Sequence, residues 1–127
     1  MTAKIAQTLI ACVFLLLGGW ALFAPGHVID VAIAEAYRED TFLTRFIIAC
    51  FGAQAVLFGI MTLVTKWSAR AFVVFAIALL PFFVFNYYFH YKEPVLTSIG
   101  MLDFAGNVVM FVLAIVGWHA ARKEEAE

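Results

Sequence analysis

Charge is what this chain has least of. Asp, Glu, Lys and Arg make up 13% of its 127 residues, and eight basic against nine acidic side chains leave a formal net charge of −1. So sparse a polar complement cannot cover the core of a soluble domain of this length. With the signs nearly balanced, nothing in the net charge points to nucleic acid. Cysteine is almost absent: Cys12 and Cys50 show no CxxC or metal-ligand spacing, and their different depths in the first two apolar blocks speak against a disulfide, which leaves two small apolar packing residues. No Gly-rich phosphate loop, HExxH pair or Ser-His-Asp order occurs, which points away from an enzyme acting alone. Leu9-Ile10-Ala11-Cys12 has the form of a lipoprotein cleavage box. Ile47-Ile48-Ala49-Cys50 repeats that form deep inside the chain, and the apolar run continues past Cys12, unlike a cleaved signal.

What is there is hydrocarbon. Hydrophobic residues make up 65% of the chain and fall into four blocks, at 5–24, 42–65, 69–91 and 95–118, each near the ~20 residues that cross a bilayer. The expectation is an all-α, polytopic membrane protein: one domain over 1–127, a four-transmembrane-helix bundle, with a charged, solvated tail at 120–127. Pro25-Gly26 breaks the first block. In the following segment Val28, Ile29, Ala32, Ile33 and Ala36 share a helical face opposite Asp30 and Arg38, the pattern of a short amphipathic helix lying in the interface, with a lid across the bundle mouth as the alternative. The turn Lys66-Trp67-Ser68 makes the second and third helices antiparallel neighbours. Pro81 removes one backbone hydrogen bond from the third helix, and the aromatics and His90 after it suit an interfacial belt. Lys4, Lys66, Arg70, Arg122 and Lys123 fall on the side of the termini, against Arg38, Arg45 and Lys92 on the other. The Lys/Arg bias therefore places both termini in the cytoplasm.

Membrane lipids are thus the first partner, and the polar residues inside the blocks are the candidates for function. Asp103, Gly106, Asn107 and Met110 follow i, i+3, i+4, i+7 spacing and share one face of the fourth helix. A carboxylate facing lipid costs several kcal/mol, so that face looks into the protein or into water. Arg45 enters from the same side of the membrane, and Asn86 and His90 share a face near that end of the third helix. The economical arrangement is a polar cluster in which Arg45 pairs with Asp103 and Asn86 or His90 completes the hydrogen bonding. Such a cluster can fix how helices pack, or it can be a small pocket for a polar head group. Gln54, nine residues after Arg45, falls on the opposite face of its helix, at a contact with a partner subunit or bonded to a backbone carbonyl. A bis-histidine haem is disfavoured: His119 lies at the far end from His90, and His27 just past the Pro-Gly break. No cofactor is required by the sequence.

The pattern Arg45, Gly52, Gly59 in RFIIACFGAQAVLFG, with Ala49 and Val56 on the same stripe, lets helix backbones approach closely. With four helices in this length and a first helix ending at Pro25 before an interfacial segment, it resembles the DoxX-like family of small four-helix bacterial membrane proteins. That resemblance implies an inner-membrane protein, in some members associated with quinone-linked redox partners, with Arg45, Gly52 and Gly59 carried over as a packing motif. NYYFHY and LDFAGN do not map onto that family. Two functional expectations follow. The first is an accessory or scaffold subunit of a larger membrane complex, or a homo-oligomer. The second is a binder of a lipid or quinone-like amphipathic ligand, with its head at Arg45, Asn86, His90 and Asp103.

Overall fold

A computed structural model describes residues 1–127. The chain is all-helical: α1 (Ala3–Phe23), α2 (Pro25–Ala32), a 3-10 turn (Glu35–Tyr37), α3 (Phe42–Val64), α4 (Ala69–Tyr87), a π-helical turn (Tyr88–Lys92) and α5 (Leu102–Ala126). Four of these segments are long and apolar enough to cross a membrane, the third running through the π turn to Lys92. This is an integral membrane four-helix bundle. Side-chain oxygens of Thr2, Thr41 and Ser68 accept from the backbone N–H of Ile5, Thr44 and Ala71, supplying the partners that the first turns of α1, α3 and α4 lack. Pro25 stands at the start of α2, where its missing donor costs nothing.

The bundle is not closed. α1 packs against both α3 and α5, and α5 packs against α4. α3 and α4, expected as antiparallel neighbours from their short turn, meet near it through Phe58 and Phe75 but do not pack along their length. The cause is their commitment to other helices. A Cβ added at Gly52 would run into the backbone of Leu22, and Gly59 lies against Ala11 and Leu15, so α3 is drawn onto α1. The ring of Phe72 fills the space beside Gly117, so α4 is drawn onto α5. Gly106 faces Val13 and Leu17 of α1. The core between α1, α4 and α5 contains Ile10, Phe72, Leu79, Met110 and Ala114. Large apolar residues elsewhere, such as Leu16 and Val84, face outward, as lipid solvation allows.

The end of the bundle carrying both termini is closed by hydrogen bonds. α5 does not stop near residue 118 but continues through the charged tail, because that tail has work inside the fold. Glu124 Oε1 accepts from Ala3 N at 3.1 Å, and Glu125 Oε1 accepts from Ala69 N at 2.9 Å. Two carboxylates thus meet the free N–H groups of α1 and α4. Gln7, 2% exposed, donates to the carbonyls of Thr62 and Thr65 and accepts from Trp67 N, which fixes the α3–α4 turn.

At the opposite end, residues 95–101 form no helix, contrary to expectation. Residues 95–97 are held extended against the end of α2 and the segment after it, and 98–101 form a turn into α5: Ala34 N donates to Val95 O at 2.7 Å and Thr97 N to Ala32 O at 3.0 Å, around an isolated Ile33–Leu96 bridge. Gly100 comes so close that an added Cβ would sit 2.5 Å from Ala32 O, and glycine is required there. α2 turns Ile29 and Ala32 inward, both buried, so it covers the bundle mouth as a lid.

Candidate ligand-binding site

The polar cluster is built from the facing ends of α4 and α5. Asn86 lies in the last turn of α4 and is buried; Asp103 lies in the first turn of α5, and Asn107 one turn further in, also buried. Asn86 Nδ2 and Asn107 Nδ2 each donate to Asp103 Oδ2 at 3.1 Å, and Asn107 Nδ2 also reaches Asn86 Oδ1 at 3.1 Å. Because α5 starts at Leu102, the acid stands in the first turn of a helix, where the helix dipole favours a carboxylate. Dipoles therefore hold Asp103, and Oδ1 receives no hydrogen bond from the protein.

Arg45 does not pair with Asp103. Its Nε and one terminal nitrogen donate to the two oxygens of Asp40, both at 2.5 Å, in the sole ion pair of the structure. Two facts explain the difference. Asp40 lies five residues before Arg45 in the adjoining loop, and α3 packs on α1, away from α5. The Arg45 guanidinium holds the Asp40 carboxyl below its ordinary value by hydrogen bonding to it. His90 also lies apart from the cluster: its Nδ1 is 3.2 Å from Leu96 O, within the far-end loop. His27 Nδ1 accepts from Trp20 Nε1 at 3.0 Å. Cys12 and Cys50 are free and exposed.

The divergence of α3 and α4 leaves a cleft of about 320 Å³ whose back wall is α1 and α5. Asp103 and Asn107 line it from α5, and Gln54, exposed and expected either at a partner contact or bonded to a backbone carbonyl, lines it from α3. Apart from these three the lining is apolar or glycine, with Phe14, Phe51, Phe58, Phe75 and Phe82 among it. The rings gather toward the turn: Phe14 meets Phe58 edge-on at 4.9 Å between centroids, and Phe58 stacks on Phe75 at 6.1 Å. A second cavity, of about 520 Å³, lies beneath α2 and the 95–101 segment. Leu17, Phe51 and Asp103 line both spaces, so the acid stands at their junction.

Four polar residues that organise the molecule escaped the sequence reading. Gln7 could have been found by the argument applied to Asp103, being a lone amide inside an apolar run. Glu124 and Glu125 read as tail charge, since nothing local says that a helix end lies opposite. Thr97, whose hydroxyl donates to Val31 O and accepts from Gly100 N, depends on a loop pairing that periodicity does not report.

No protein-family model, no curated protein and no solved structure matches the chain.

Proposed function

We propose that this protein binds an amphipathic membrane molecule, lipid-like or quinone-like in shape, in the cleft between α3 and α4. The observation that carries the reading is the open seam itself. Helices joined by a four-residue turn diverge, and polar groups from α3 and α5 line the space between them, beside a wall of phenylalanine. Small-molecule sites have this composition, mostly apolar with a few convergent polar groups. The head group lies at Asp103, Asn107 and Gln54, and the apolar part lies along Phe51, Phe58, Phe75 and Phe82. Arg45 and His90 take no part in this site.

An accessory role in a larger complex drew on the small size and missing catalytic motifs as well as on an outward-facing Gln54; that exposed side chain also lines the cleft, which gives it a use within the chain. We further propose an inner-membrane location with both termini cytoplasmic, from the Lys/Arg asymmetry, so that the cleft's polar end lies in the outer half of the bilayer. The test is photo-crosslinking of the reconstituted protein with a long-chain alcohol bearing a diazirine. Adducts concentrated on Phe51, Phe58, Phe75 and Phe82 support the reading. Adducts spread evenly over outward positions such as Leu16 and Val84 overturn it.

A further inference from the structure

We infer that the preferred occupant of the cleft carries a positive charge: a lipophilic cation, such as a quaternary or protonated amine with apolar substituents. The inference rests on the cleft being a ligand site and names the class of ligand. Asp103 brings a carboxyl group to a cleft whose other lining is neutral, and no cationic side chain lies within ion-pair distance of it. The two asparagine amides and the α5 N-terminus stabilise the carboxylate through dipoles, which leave its net charge in place. Both amides converge on Oδ2, so Oδ1 is left for an outside partner. A charge in an apolar setting is completed by an opposite charge, and the protein supplies none.

The rest of the cleft fits the same chemistry. A cation is attracted to the faces of aromatic rings, and aromatic cages are a recurrent solution for quaternary ammonium groups. Phe51 and Phe82 line the cleft together with Asp103, and the Phe14–Phe58–Phe75 cluster lies deeper, where aromatic or alkyl substituents pack. An anionic head group meets the opposite: Asp103 repels it, and no Lys or Arg lines the cleft. The opening between α3 and α4 gives access from the side, which suits a molecule already dissolved in the membrane.

Binding of radiolabelled tetraphenylphosphonium to the full chain in nanodiscs of neutral lipid, with empty nanodiscs subtracted, tests the inference. Decyltrimethylammonium and decanol serve as competitors of equal chain length. The expected result is saturable binding, displaced by the ammonium compound at concentrations about tenfold or more below decanol, a difference of ~1.4 kcal/mol. Asp103→Asn should abolish that preference. Gln54→Glu adds a second acid at an exposed position and should tighten cation binding even if the asparagine variant fails to fold. Saturable crosslinking by the neutral alcohol without phosphonium binding refutes the ligand class and leaves the cleft as a site. Failure of both probes refutes the site as well. Phosphonium binding that ignores both substitutions also overturns the inference.

Discussion

Asn107 donates to Asp103 across one turn of α5, Nδ2 to Oδ2 at 3.1 Å, and the same amide reaches Asn86 of α4. One side chain therefore ties two helices together and holds the acid that faces the cleft. Asn107→Leu strands the Asn86 carbonyl and removes a donor from Asp103. The expected cost is about 1–3 kcal/mol, the range for leaving a buried polar partner unsatisfied. Asn86→Leu should cost a similar amount. Because the three residues share one network, the double variant should lose less than the sum. Unfolding in mixed micelles, read by circular dichroism, measures all three.

Arg45 and Asp103 are predicted to be energetically independent. A double-mutant cycle with Arg45→Met and Asp103→Leu should be additive within error, since residues without a shared partner do not couple. A clear coupling energy would restore the ion pair expected from the sequence.

Acid should act on the Arg45–Asp40 pair in one direction only. The Asp40 carboxyl is held below its ordinary value in the folded chain. Its contribution is therefore fully present above that ordinary value and disappears as the pH falls through the lowered one. Both groups are exposed, so the pair is screened by salt and contributes little. Arg45→Gln should leave the melting temperature near neutral pH unchanged and abolish the acid-side dependence due to Asp40, which thermal melts at stepped pH will read.

Gln7 should prove the most sensitive polar position at the end carrying the termini. Gln7→Leu removes the partners of two carbonyls and one N–H in the α3–α4 turn, with an expected loss of about 1–3 kcal/mol. Gln7→Glu places a carboxylate against the Thr62 and Thr65 carbonyls and should be worse than leucine. The order of the two melting temperatures is the check.

Gly52→Val should separate α1 from α3, because even a Cβ there meets the backbone of Leu22. Overpacking of this kind costs about 1–3 kcal/mol. Cysteine-pair distances between α1 and α3, measured by spin labelling, should lengthen.

The sequence was most legible where hydrophobic length alone decides the outcome. Four apolar blocks meant four crossing helices, and Pro25 marked the break before α2. The small residues of α3 were readable as a packing stripe, though not which helix they meet. Asn86, Asp103 and Asn107 could be brought together because helical periodicity and depth along a span constrain them strongly. Arg45 was misplaced because depth does not report which helices touch, and the competing acid lay five residues away in a loop. The cleft was invisible for the same reason. A short turn suggested contact between α3 and α4, whereas Gly52 and Gly59 on α3, and Phe72 of α4 against Gly117 of α5, set where each helix packs.

The proposed occupant of the α3–α4 cleft is an amphipathic molecule. Ala78 lines the cleft from an exposed position on α4, so Ala78→Trp fills the space without touching the asparagine cluster or the core. Native mass spectrometry of the mildly extracted protein and this variant is the most direct measurement. One defined amphiphile of constant mass on the native protein, lost in Ala78→Trp, is the predicted result. A native protein that carries no such molecule, or a variant that retains it in full, contradicts the account.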